Sequence, residues 1–305
     1  MSNSIALITK YLDRLDTVYK QNARSAILEA DSSLVQETNE ANVIKIAKIS
    51  MDGLGNYSRS NGYASGDVVL SWETHTFTND RGRMFKVDRM DNVETAGKAF
   101  GRLAGEFIRT KVVPEVDAYR FAKIAGTSNI EGTTGTLTSS TTKAALETAI
   151  VDLAEHEVDE GSMVCFMSPT VKGYLETELQ RQLPSGETSY GQIINYFNNI
   201  PIITVPQTRF YSKIDLLDGK TSGQTDGGYA KHTAGSSGDT AGTDINFILM
   251  DAGSAFAITK NRVSKIVTPD ENQNEDGWRF FFRVYHDLFV YENKVKGIYV
   301  HKKSS

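Results

Sequence analysis

Residues 91–128 read DNVETAGKAFGRLAGEFIRTKVVPEVDAYRFAKIAGTS. Val93, Ala96, Phe100, Leu103, Ala104 and Phe107 recur at steps of three and four, which puts them on one stripe of a helix. Lys98, Arg102, Glu106 and Arg109 fall on the opposite face. The pattern predicts a long helix packed on a sheet and interrupted at Pro114. A proline inside a helix loses a hydrogen bond and clashes one turn back, at a cost of about 3 kcal/mol. It also pushes the preceding residue, Val113, away from helical angles. The helix is therefore expected to kink or divide there, with Glu115 to Ala125 continuing and Pro114 a candidate hinge.

Upstream, Asp67 to Thr78 is rich in Val, Trp, Thr and Phe and reads as a strand. Asn79-Asp80-Arg81-Gly82 supplies turn chemistry, and Arg83 to Met90 reads as the returning strand. The expectation is a long hairpin with a basic tip. An isolated hairpin is marginal in water, so this one needs a surface to lie on, its own or a neighbour's. Further back, Gly53, Gly55, Gly62 and Gly66 punctuate a polar connector, and Val43 to Met51 has the β-branched residues of a strand. Ile5 to Glu29 reads as a helix.

Downstream, Gly126 to Ser140 is a loop of Gly, Thr and Ser. Helices are expected over Thr141 to Val158 and from Pro169, with a short apolar strand, Met163 to Met167, between them. A strand bounded by prolines follows at Asn199 to Pro206. Gly219 to Thr243 is low in complexity and is expected to be a surface loop. Strands resume at Ile245, and Trp278 to Tyr291 is one long aromatic strand.

At 305 residues the chain is long enough for a sizeable core. Its net charge of −5 argues against a protein that holds nucleic acid by charge, which needs clustered Lys and Arg. One cysteine, Cys165, allows no intrachain disulfide. No apolar run approaches the ~18 residues of a membrane span, and the N-terminus lacks a signal-peptide pattern. Catalytic motifs are missing. Gly219-Lys220-Thr221 imitates the end of a phosphate-binding loop, but Ile214 stands where the upstream glycine is required. The five histidines are scattered, and His286-Asp287 are adjacent strand residues that point to opposite faces. Neither an enzyme nor a cofactor or metal site is expected.

An outstretched hairpin, a long helix and a mixed region ending in aromatic strands suggest a building block. The chain resembles the major capsid proteins of tailed double-stranded-DNA phages, which have the Hong Kong ninety-seven phage capsid fold. The residues that carry the match are Gly62-Tyr63, Trp72-Glu73-Thr74, Asp80 to Phe85, Asp88 to Asp91, Glu94-Thr95 and Val112 to Asp117. Ser168-Pro169, Ile200 to Pro206 and Trp278 to Asp287 extend it; order and spacing carry the weight.

The resemblance implies an α+β fold with an N-terminal arm (residues 1–42) and a peripheral-domain strand (43–50). An extended hairpin loop (51–90) and a peripheral domain with a spine helix (91–131) come next. The axial α/β domain (132–251), further peripheral strands (252–290) and a C-terminal axial strand (291–305) complete it. It implies inter-subunit contacts through Trp72, Glu73, Asp80, Arg81, Arg83 and Arg89, and hinges at Gly62, Gly66 and Pro114. The implied partner is the chain itself, as hexamers and pentamers of an icosahedral shell. A scaffolding protein, a portal and a decoration protein would join it, with packaged DNA contacted weakly and no membrane. Assembly would take place in the host bacterial cytoplasm and the product would be the virion. Some relatives weld subunits through a hairpin lysine; Lys86 is the only lysine of residues 51–90 and sits off the tip, so no cross-link is expected. The alternatives are an encapsulin-like cellular shell around cargo enzymes and a soluble hydrolase or binding protein with an unrecognised site.

Overall fold

Two long antiparallel strands, Val43–Met51 and Val68–Thr76, pair along their whole length from Val43↔Thr76 to Met51↔Val68. They form a ribbon whose distal end is the glycine-punctuated segment 52–67. The fold is a computed structural model that describes residues 23–29, 36–37, 43–60, 62–90, 98–180, 195–235, 238–272 and 275–304. In chain order its strands are β1 (Gln36–Glu37), β2 (Val43–Met51), β3 (Val68–Thr76), β4 (Asn79–Asp88) and β5 (Glu131–Thr134). Then come β6 (Met163–Met167), β7 (Tyr196–Phe197), β8 (Ile200–Thr204), β9 (Ile214–Leu217) and β10 (Gly228–Lys231). The last are β11 (Ile245–Asp251), β12 (Ala255–Val267), β13 (Gly277–Val290) and β14 (Ile298–Lys302). The helices are α1 (Lys98–Phe107), α2 (Val113–Gly126), α3 (Thr142–Glu155) and α4 (Pro169–Gln180). The helix expected over Ile5 to Glu29 lies outside the described residues except at its end, where Ala26–Leu28 form a 3-10 turn.

The hairpin differs from the sequence expectation. β3 pairs with β2, not with β4, and β4 pairs with β13 from Gly277↔Asp88 to His286↔Asn79. Asp80, Arg81 and Gly82 are therefore strand residues, and no basic turn exists there. The cause is local capture of the chain between β3 and β4. The buried Asp287 carboxylate accepts the Thr78 amide at 2.9 Å and the Thr78 hydroxyl at 2.8 Å. It also accepts the Tyr119 hydroxyl at 2.7 Å. Phe77 is buried between the Tyr285 and Phe289 rings. Four consecutive residues of good turn chemistry lose to one buried carboxylate and one buried ring.

The spine also differs. α1, a π-turn over Ile108–Val112 and α2 are contiguous. Val113 is helical, at φ −60° and ψ −47°. A π-turn carries an extra residue per turn, which moves out of the helical path the carbonyl that Pro114 cannot bond and would strike. Pro114 thus widens the helix instead of dividing it. The buried stripe Ala104, Ile108, Val112, Val113 and Val116 packs on Ile266, Phe280, Phe282 and Val284 of the β12-β13-β4 sheet. Residues 91–97, where the stripe was expected to begin, lie outside the described residues.

The six-stranded sheet β5-β14-β11-β6-β8-β7 is mixed, with β5 parallel to β14 and β6 parallel to β8. Its residues alternate between two cores, as period-two side chains require. Cys165, Phe247, Leu249 and Tyr299 face α3 and α4. Phe166, Ile248, Met250 and Val300 face Phe121 and Ile124 of α2. Burial pushes the Cys165 thiol up to about 12, so it is an inert packing group.

A buried polar cluster fixes segment 23–29 to α2. Asp117 accepts the Arg24 and Ser25 amides at 3.0 and 3.1 Å and the Ser25 hydroxyl at 2.6 Å. The buried Arg120 donates to Ser25 Oγ at 3.0 Å and to Glu29 at 3.3 Å. Arg209 reaches Asp117 at 3.2 Å. Leu28 then inserts into the core beneath. The segment expected to be a surface loop, 219–243, instead contains β10, which forms a hairpin with β9. The Asp218 carboxylate shapes its turn by accepting the Thr221 hydroxyl and the amides of Lys220 and Thr221. These donors pull its pKa down to about 2. Gly219-Lys220-Thr221 is this turn, with no apolar helix after it.

Candidate assembly surfaces

The ribbon β2–β3 has two unlike faces. Cross-strand partners share a face, so Ile44 and Ile46 lie with His75 and Glu73 on one side. There they pack at the ribbon root on Phe77, Phe256 and Phe289. Glu73 pairs with His75 at 3.0 Å, and burial lowers the His75 pKa. On the other side Met51 opposes Val68, Ile49 opposes Leu70, and Trp72 follows. These five are 68, 67, 58, 57 and 49% exposed, in that order. Leu54, Tyr57 and Tyr63 at the distal end are exposed as well, the two tyrosine rings 4.9 Å apart. Isolated apolar residues on a surface are ordinary, but a contiguous patch marks an interaction site. Covering the remaining surface of each side chain contributes on the order of 1 kcal/mol.

The sequence carries a sign of this face. In β2 the apolar positions change phase, from Ile44 and Ile46 to Ile49 and Met51. A one-residue shift moves side chains to the opposite face. Sequence reasoning read a strand here but missed the shift.

The other residues singled out from sequence fall in several places. Trp72 lies on the apolar face and Glu73 behind it. Arg81 and Arg83 reach within their own chain: Arg81 donates to Glu115 at 2.7 Å and to the Gly228 carbonyl at 3.1 Å. Arg83 donates to the Thr225 carbonyl at 3.2 Å. Both hold the β9–β10 hairpin against β4 across a cleft of about 1200 Å³ that also meets Phe107 and Pro114. Asp80 pairs with Arg283, which holds its pKa below the usual carboxylate range. Arg89 is exposed, 3.4 Å from Asp276. Lys86 pairs with Glu275 at 2.7 Å. Gly62 closes the distal turn at φ +77°, exchanging backbone hydrogen bonds with Ser58. Gly66 sits at the foot of that segment, where a Cβ would meet Asp52 at an ordinary 3.6 Å.

His286 and Asp287 are both structural. Burial pushes the His286 imidazole down to about 3, with Arg120 opposing its charge as well. Among the described residues no group of three or more His, Cys, Asp or Glu could hold a metal, and no helix is long and apolar enough to cross a membrane.

No protein-family model matches the sequence, and no curated protein is similar enough to match it. Solved structures do. A chain from Gordonia phage Cozz is similar with a TM-score of 0.59 at 12% identity, covering 93% of this chain and 87% of that one. A chain of the capsid of Cyanophage P-SCSP1u is similar with a TM-score of 0.57 at 10% identity, covering 88% and 86%. The chain has the tailed-phage major capsid fold. A virus-like particle from Pyrococcus furiosus is also similar, with a TM-score of 0.50 at 12% identity, covering 95% and 99%. The capsid fold is thus one shared by shell proteins, with an α+β body, several sheets and a long spine helix.

Proposed function

We propose that the chain is the structural subunit of a phage head, closing as hexamers and pentamers into an icosahedral shell around double-stranded DNA. The observation that carries this reading is the outward apolar face of the ribbon, which nothing among the described residues covers. On this reading the ribbon β2–β3 is the outstretched arm, and its apolar face lies on the neighbouring copy. α1 and α2 with the β12-β13-β4 sheet form the peripheral domain, and the six-stranded sheet with α3 and α4 forms the axial domain. Trp72 contributes to the subunit contact, and Arg89 remains exposed for one. Gly62 and Gly66 in the ribbon, and the widened turn before Pro114 in the spine, supply the compliance that hexamers and pentamers demand of one chain. Contacts of modest strength suffice, because rings and shells close by symmetry and many contacts act together. A scaffolding protein, a portal and a decoration protein are its partners, and a net charge of −5 suits DNA that is held weakly.

The test is electron microscopy of the purified chain beside the double variant Leu70→Asp, Trp72→Asp. Closed shells are expected from the natural chain and none from the variant, whose circular dichroism and melting temperature stay unchanged. Shells from the variant would remove the role of the ribbon face, and a monodisperse monomer from the natural chain would remove the shell itself. The similarity to the Pyrococcus particle favours a second reading, a cellular shell around protein cargo. Particles that hold co-purifying protein and no DNA would select it.

A further inference from the structure

The strongest unassigned cluster lies beside the β9–β10 hairpin. His232 follows β10 directly. Its Nδ1 is 2.7 Å from an Asp215 oxygen on β9, and its Nε2 is 2.7 Å from an Asp239 oxygen. A carboxylate only accepts hydrogen bonds, so both ring nitrogens must donate, and only the imidazolium carries two N–H groups. The geometry itself demands the charged ring.

The surrounding groups agree. Lys213, ahead of β9, donates to the second oxygen of Asp239 at 2.5 Å. Lys231 is engaged elsewhere, with Asp244 at 2.6 Å. The ring thus faces two carboxylates, one of them shared with a lysine. Backbone bonds complete the closure: the His232 amide donates to the Lys213 carbonyl, and the Gly242 amide to the His232 carbonyl. The bonds to Asp215 and Asp239 raise the His232 pKa, and Lys213 and His232 together lower that of Asp239.

We propose that His232 is a protonation-dependent clamp that ties residues 239–242 to β9 and so sets the shape of the β9–β10 hairpin. The inference goes beyond the shell reading and does not depend on it. A base whose folded pKa is raised contributes stability below its unfolded value of ~6.5 and loses it as pH rises through the folded value. Asp239, with a lowered pKa, contributes above ~3.9 and loses its contribution as pH falls. The clamp is closed in mildly acidic solution and released on the alkaline side. Because Arg81 and Arg83 grip the same hairpin from β4, its shape bears on how the hairpin seats against the body.

Histidine C2–H exchange read by mass spectrometry on the full chain between pH 4 and 9 tests this. The His232 midpoint is expected above 6.5 in the natural chain, lower in Asp215→Asn and in Asp239→Asn, and near the ordinary value in the double variant. Amide exchange of the peptide containing Gly242, corrected for the intrinsic pH dependence, is expected to accelerate several-fold through that midpoint. It should show no such step in His232→Gln. An ordinary His232 midpoint in the natural chain, a midpoint unmoved by both Asn variants, or a step retained in His232→Gln would each overturn the clamp.

Discussion

β11 and β3 are strands of similar length with opposite surroundings. Six of the seven residues of Ile245–Asp251 are buried, whereas none of Val68–Thr76 is. β11 lies in the middle of the six-stranded sheet, with α2 on one side and α3 and α4 on the other. β3 is the edge of a three-stranded ribbon that no helix covers among the described residues. Apolar content does not separate them: Val68, Val69, Leu70 and Trp72 are as suited to a core as Ile248 and Leu249. The difference is cover. One strand is completed by its own chain, and the other carries an apolar face that nothing among the described residues covers.

The sharpest way to break that contrast is to damage the covered sheet. Phe247→Ala removes a ring packed between Tyr299 and His301 and is expected to cost about 4 kcal/mol, measured by urea unfolding. A loss under 1 kcal/mol would mean that the sheet is less dependent on its core than its burial implies. Asp117→Ala comes next. Breaking a buried ion network by removing one member costs about 3–5 kcal/mol, and the lower end is expected because Arg120 keeps Glu29. Proteolysis should then detach segment 23–29 before the body unfolds.

A pH series gives a smaller and graded effect. The His286 pKa is depressed to about 3, so the unfolded chain takes up a proton on this ring that the folded chain refuses. Its contribution is complete above the unfolded value of ~6.5 and is lost as pH falls toward about 3. Melting temperatures should drop across that interval, and His286→Phe should remove this part of the drop. The smallest effect on folding is expected of the ribbon variant Leu70→Asp, Trp72→Asp, within ~0.5 kcal/mol as for surface substitutions, measured by the same urea unfolding. A ribbon variant that destabilised the isolated chain as much as Phe247→Ala would erase the contrast.

Much of this was legible because it is local. The apolar run Met163–Met167, the aromatic run Trp278–Tyr291 and the three–four spacing of Phe100, Leu103, Ala104 and Phe107 depend only on neighbours in sequence. The ribbon face was half legible, through the phase change between Ile46 and Ile49. The Asp117–Arg120 cluster and the His232 clamp had no signal, since their bonded members stand up to 95 residues apart.

The sequence by itself determined the strand Val43–Met51, the helices from Thr141 and Pro169 and the aromatic strand Trp278–Tyr291, and that an extended pair of strands ahead of the spine needs a surface to lie on. Only the tertiary structure decided the pairing: β3 with β2, β4 with β13, and Arg81 with Glu115. The physical reason is that a strand's pattern specifies a face to be buried but not the partner that buries it. Here Asp287 and Phe77, acting from opposite ends of the chain, turned the chain out of the ribbon. Likewise the penalty of Pro114 is fixed by its ring, whereas its relief by a π-turn depended on the sheet that holds the spine on both sides of it.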